Sequence, residues 1–206
     1  MESEFSSRGY LLHRDVPGAT QFITFRLADS LPQSIIEQYR RDRESADHAA
    51  RKGAFRKVED CLDTGTGDCT LAKPGVAKAF IDNLFKGQEQ LYRVSSFCVM
   101  PNHVHLLLKL QQESKLGEAM KLIKGRSSRV INQLANRSGQ LWQPDYFDRM
   151  IRDDIHFERA QHYTHWNPVK AGLAVAPDHY AHSSANSIYE TGISSLSTEV
   201  ECTDAD

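Results

Sequence analysis

The chain has 206 residues, 40% of them hydrophobic, which suits one domain with a core of its own. No apolar run approaches the ~20 residues needed to span a bilayer, and the acid-bearing start Met1-Glu-Ser-Glu-Phe-Ser-Ser has no apolar signal core, so a cytoplasmic protein with no membrane partner is expected. The net charge of −2 hides an asymmetry: six acids and no Lys or Arg follow Lys170, leaving residues 1–170 with 25 basic and 21 acidic groups, a net of +4 that suits a polyanionic partner.

Thr20 to Leu27 alternates and is rich in β-branched and aromatic residues, so it reads as a strand. Pro32 opens a predicted helix through about Glu44. Residues 45–72 are polar and charged and read as an inserted, partly helical excursion. Val76, Phe80 and Leu84 have helical spacing through Phe85. Tyr92–Met100 is a second strand, and a third begins directly after Pro101-Asn102, a connection tight enough to make the two antiparallel. Residues 114–136 form a long amphipathic helix, with Ser114 as its expected N-cap. Its apolar side carries Leu116, Met120, Ile123, Val130, Ile131 and Leu134, and its polar side carries Lys121, Lys124, Arg126 and Arg129. Leu141–Ile151 is aromatic and irregular or strand-like. A last helix starts at Asp153-Asp154 and is expected to stop near Asn167-Pro168, with Gly172 allowing the turn beyond. From about Ser183 the chain is rich in Ser, Thr and acids and reads as a disordered tail. The expected organisation is one domain over 1–182 and a tail over 183–206, in an α+β class: an antiparallel sheet with helices on one face.

The third strand carries the chemistry. In Asn102-His103-Val104-His105-Leu106 the two histidines are two apart, so they share one face while Val104, Leu106 and Leu108 take the other. Such a pair is either two half-buried rings hydrogen-bonded to neighbours or half of a metal site. The last helix offers Tyr163 and Asn167, four apart and therefore on one face. Asn167 packed against the histidines completes a two-nitrogen, one-oxygen set suited to Mg²⁺ or Mn²⁺. Tyr163 then becomes a candidate nucleophile toward phosphorus. A core tyrosine is the other reading, and Tyr146, among Trp142, Pro144 and Phe147, is a rival nucleophile or a packing and base-stacking residue. Cys61, Cys69, Cys98 and Cys202 have no CxxC spacing and are expected as free thiols, with a pairing or shared metal at Cys61 and Cys69 left open.

Three blocks, Phe97–Leu108, Leu141–Asp153 and Tyr163–Leu173, together resemble the REP-associated tyrosine transposases of the single-tyrosine HUH transposase superfamily. The resemblance spans roughly residues 9–185. It implies a ferredoxin-like or RRM-like HUH nuclease fold. It implies Mg²⁺- or Mn²⁺-dependent cleavage and rejoining of single-stranded DNA at hairpins, through a 5′-phosphotyrosine intermediate, by a monomer or homodimer. On the matching positions, His103 and His105 are the paired histidines, Tyr163 the nucleophile and Asn167 the third ligand, while His165 is not a ligand. Lys115, Lys121, Lys124, Arg126, Arg129, Arg149, Arg152 and Lys170 are the expected DNA contacts. A catalytically silent hairpin-binding protein of the same fold is the alternative, and a hydrolase of small phosphoesters ranks below it for want of a visible carboxylate cluster.

Overall fold

A computed structural model of the chain describes residues 5–7, 12–14, 16–88 and 90–192. Strands β1 (Phe5–Ser7) and β2 (Leu12–Arg14) form a small antiparallel ribbon. The main sheet contains β3 (Thr20–Arg26), β4 (Tyr92–Val99), β5 (His103–Leu110) and β6 (Phe147–Met150). Its order is β4-β5-β3-β6, antiparallel throughout. Helices α1 (Gln33–Glu44), α2 (His48–Asp63) and α3 (Val76–Lys86) lie between β3 and β4. Helix α4 (Leu116–Leu134) joins β5 to β6, and α5 (Asp154–Lys170) follows β6. Without the α1–α2 excursion this is the β-α-β-β-α-β order of a ferredoxin-like sheet, as expected.

Strand alternation sorts the side chains. Ile23 and Phe25 of β3 and Val104, Leu106 and Leu108 of β5 are fully buried on one face. There they meet Phe80, Ile81 and Leu84 of α3 and Leu116, Met120 and Ile123 of α4. A bulge between Val94 and Ser96 shifts the register of β4 by one, so that Phe97 and Val99 join Tyr92 and Val94 on this same apolar face.

The opposite face carries Phe22, Thr24, His103, His105 and Leu107. It is not left to water. Helix α5 covers it, packing Phe157, Ala160 and Tyr163 on Phe22 and Leu107. The helices therefore divide between the two faces: the expected single covered face holds for α3 and α4, and α5 takes the other.

Helix boundaries depart from expectation in two places. Helix α4 begins at Leu116 with Lys115 as N-cap and no side-chain cap bond; Ser114 is buried instead of capping. Helix α5 runs through Pro168 to Lys170. Asn167 and Pro168 are both buried, and packing outweighs the single backbone bond that the proline ring removes. Gly172 at φ 72° turns the chain away afterwards.

The inserted segment, residues 45–72, holds α2, which folds back on the preceding helix: Tyr39 of α1 packs with Ala54, Phe55 and Val58 of α2. Phe55 stacks on Phe147 of β6 at 3.5 Å between ring centroids, which docks α2 beside the sheet. Residues 183–189, assigned to the tail from composition, pack on the outer strand: Ser184 N donates to Phe97 O at 2.9 Å, and Tyr189 meets the Phe97 ring edge-on. The tail beyond 192, with Cys202, lies outside the described residues. Cys61, Cys69 and Cys98 are free thiols. Among the described residues no helix is long and apolar enough to cross a membrane.

Phe80 is fully enclosed between α3, Phe25 and Trp142. Phe80→Ala is expected to lower folding stability by about 3–5 kcal/mol in urea denaturation.

Candidate active site

His105 and His103 pair across the β3–β5 ladder with Thr24 and Arg26. Both imidazoles are fully buried under α5. Their Nε2 atoms converge to 3.0 Å. The outer nitrogens are held from behind: His103 Nδ1 lies 2.8 Å from Asn102 Oδ1, and His105 Nδ1 lies 2.9 Å from Thr24 Oγ1. The Asn102 amide donates to Leu62 O and Thr66 O, so its oxygen is the atom that faces His103. His103 therefore carries its proton on Nδ1 and presents a lone pair at Nε2. The Thr24 hydroxyl both donates and accepts, so it supports either tautomer of His105. Burial, reinforced by the Lys170 charge, pushes His103 down to about 3. Burial and the neighbouring His103 push His105 down as well. Both rings are neutral, the form a metal ion requires.

Tyr163 crosses this pair edge-on, its ring centroid 5.4 Å from that of His105 and 5.8 Å from Phe22. One turn later Asn167 is 1% exposed; its Nδ2 reaches toward the Tyr163 hydroxyl at 3.4 Å, and its Oδ1 is buried with no hydrogen-bond partner. A buried, orphaned amide oxygen one helical turn beyond the tyrosine, together with two convergent neutral imidazoles, fits the donor chemistry of an open divalent-cation site. Among the described residues no three His, Cys, Asp or Glu side chains are grouped to hold an ion. His165 turns away to Ser96 and Ser184, and exposed His162 stacks on Trp166.

Helix α2 brings carboxylates that motif reading passed over. Lys170, expected at a phosphate, instead pairs with Asp63 at 2.9 Å and Asp60 at 3.1 Å. Asp63 Oδ1 is 4.0 Å from His103 Nε2. Glu59 is buried near Tyr163, and burial raises its carboxyl to about 7. Burial and the Glu59 charge push the Tyr163 phenol far up.

Tyr163 and Glu59 open together onto a cavity of about 680 Å³. Arg149, Arg152 and Arg159 contribute guanidinium groups to its wall, and Phe22, Phe55 and Phe147 contribute rings. Two of the expected DNA contacts, Arg149 and Arg152, thus meet the tyrosine. Arg159 was missed, although it lies four residues before Tyr163 on the same helix face. Lys115, Lys121, Arg126 and Arg129 are exposed at or along α4, on the sheet face away from the histidines. Lys124 is a structural residue: its ammonium donates to the carbonyls of Gln143, Pro144 and Asp145 and lies over the Tyr146 ring, and burial lowers it to about 7. Tyr146 belongs to the core, 5% exposed, which removes it as a rival nucleophile.

The antiparallel sheet is ferredoxin-like, with the paired histidines on one strand and the tyrosine helix over them. Residues 77–167 match the family described as Transposase IS200 like, and the chain is similar to REP-associated tyrosine transposases. A curated relative from Haemophilus influenzae, named as a candidate REP-associated tyrosine transposase, is 24% identical over 103 residues, covering 45% of this chain. The aligned part spans 58% of that relative's length. A solved structure of a REP-associated tyrosine transposase bound to a REP hairpin superposes with a TM-score of 0.53 at 17% identity, over 86% of this chain and 81% of its own. A candidate transposase from Deinococcus radiodurans aligns with a TM-score of 0.33 at 16% identity, over 76% of this chain and 93% of its own.

Asn102→Ala is expected to weaken Mn²⁺ binding about 10–100-fold in titration calorimetry, because His103 loses the acceptor that orients it. Buried neutral His103 also sets a pH dependence. The unfolded chain takes up a proton near 6.5 that the folded chain refuses until about 3. In thermal melts of metal-free protein, wild type is expected to lose stability relative to His103→Gln as pH falls through that window, and to show no such loss above it.

Proposed function

We propose that this chain is a metal-dependent single-stranded DNA endonuclease and strand transferase that acts at hairpin, REP-like sequences and serves DNA transposition. The observation that carries the reading is the convergence of two buried Nε2 atoms at 3.0 Å beneath a tyrosine whose ring is 5.4 Å from one of them. His103, His105 and Asn167 would hold Mg²⁺ or Mn²⁺. When bound, such a cation polarises the scissile phosphate and stabilises the charge that builds on it.

The chain's own groups supply the covalent chemistry. Tyr163 Oη attacks phosphorus; its bond to phosphorus forms as the bond from phosphorus to the 3′ oxygen breaks. A 5′-phosphotyrosine link and a free 3′-OH result, and attack by a 3′-OH reverses the exchange. Phosphodiester energy stays in the tyrosine ester, so no nucleotide triphosphate is consumed. Arg149, Arg152 and Arg159 are placed to take the phosphates flanking the nick, and Phe22 and Phe147 offer ring faces to unstacked bases. The hairpin as partner is supported by the hairpin-bound relative and by the excess of basic groups before residue 171. The tyrosine's seat over the histidines of its own chain supports action in cis, with one copy sufficient for a nick.

Incubation with Mg²⁺ and end-labelled hairpin-bearing single strands is expected to yield a covalent protein–DNA adduct on denaturing gels. Tyr163→Phe abolishes the adduct, EDTA abolishes it, and Mn²⁺ restores it. Tight hairpin binding without adduct, insensitive to EDTA, would replace this reading with that of a hairpin-binding protein.

A further inference from the structure

We infer that Glu59, on the inserted helix α2, is the proton acceptor for Tyr163: a catalytic carboxylate supplied by a segment outside the tyrosine and histidine motifs. The inference rests on the strand-transfer reading above and deepens it. Three observations of position carry it. Glu59 is 8% exposed and lines the same cavity wall as Tyr163, whose hydroxyl must lose its proton to attack phosphorus. Its Oε1 is buried without a hydrogen-bond partner, so the group is not saturated by structural bonds. Both residues open on the same arginine-walled cavity, where a phosphodiester has room beside the phenol.

The alternatives around the hydroxyl are poorer acceptors. Asn167 approaches it through Nδ2, a donor. His105 presents a ring edge-on, with Nδ1 engaged by Thr24 and Nε2 by His103. The groups that act on Glu59 are Tyr163 and Lys170 of α5 and Asp60 and Asp63 of its own helix. Arg149 on β6, and Arg152, Asp153, His156 and Arg159 at and along α5, line the shared cavity. Burial holds the carboxyl near 7, where a general base is best matched to neutral conditions.

The step balances within the site. As the Tyr163 oxygen bonds to phosphorus, its proton passes to the Glu59 carboxylate, and the departing 3′ oxygen takes a proton from water. On rejoining, a 3′-OH attacks phosphorus and gives up its proton to water, the tyrosine–phosphorus bond breaks, and Glu59 returns its proton to the phenolate.

The test compares wild type, Glu59→Gln and Glu59→Asp in single-turnover adduct formation with hairpin-bearing single strands and Mg²⁺, from pH 5.5 to 8.5, alongside hairpin affinity and melting temperature. Wild type is expected to speed up with pH and level off above about 7. Glu59→Gln is expected to bind the hairpin normally, react about 100-fold more slowly, and lose the rise with pH. Glu59→Asp keeps a base and is expected to keep the rise at a reduced rate, which guards against a fold defect in either variant. A Glu59→Gln protein that reacts at the wild-type rate, or more slowly with the pH profile unchanged, overturns the assignment of Glu59 alone. A wild-type protein that forms no adduct overturns the strand-transfer reading, and the role of Glu59 with it.

Discussion

Two imidazole Nε2 atoms brought to 3.0 Å inside a protein need support from every side. Placing two imidazoles edge to edge in a dry layer between sheet and helix forfeits their hydration, and the loss is offset only if each ring keeps a partner. Asn102 and Thr24 are those partners. Asn102 does more than orient a ring, because the other end of its amide holds the carbonyls of Leu62 and Thr66 at the end of α2. One buried side chain thereby joins the histidine strand to the inserted helix. The same helix that supplies Glu59 and Asp63 is thus tied at its end to the residue that sets the tautomer of His103.

The surroundings of the tyrosine hydroxyl are divided by charge. On one side stand the arginines of β6 and α5, and on the other the carboxylates of α2, with Lys170 drawn into the acidic group by Asp60 and Asp63. Phosphate oxygens are favoured only on the first side, so an anionic ligand entering the cavity would meet attraction from one wall and repulsion from the other. The basic residues along α4 lie behind the sheet and cannot share in that orientation; any grip they exert on nucleic acid acts at a separate place.

The parts of this fold that were readable from sequence are those fixed by local periodicity. Alternation in Thr20–Leu27 and around His103 located β3 and β5, and three-to-four spacing located α1, α3 and α4. Tyr163 and Asn167 share a face because four residues make one helical turn, so their pairing was readable too. What escaped depends on contacts distant in sequence. Nothing near Glu59 announces that α2 will fold back over α5, since the stack of Phe55 on Phe147 joins residues 92 positions apart. Lys124 looked like its basic neighbours on one helix stripe, yet three carbonyls from the loop after α4 take its ammonium. Pro168 signalled a helix end, and the burial of Asn167 and Pro168 overrode it. The polar run from Ser183 looked like tail, but its serines and Tyr189 have partners on β4.

That last contact has a consequence for self-association. β4 is one of the two edge strands of the sheet, and open edges of this kind are where sheets of separate molecules join. Here the outward amide of Val99 goes to His182 O, and the amide and carbonyl of Phe97 go to Ser184. The chain caps its own border with residues 182–184. A continuous intermolecular sheet through this strand would first require peeling that segment away.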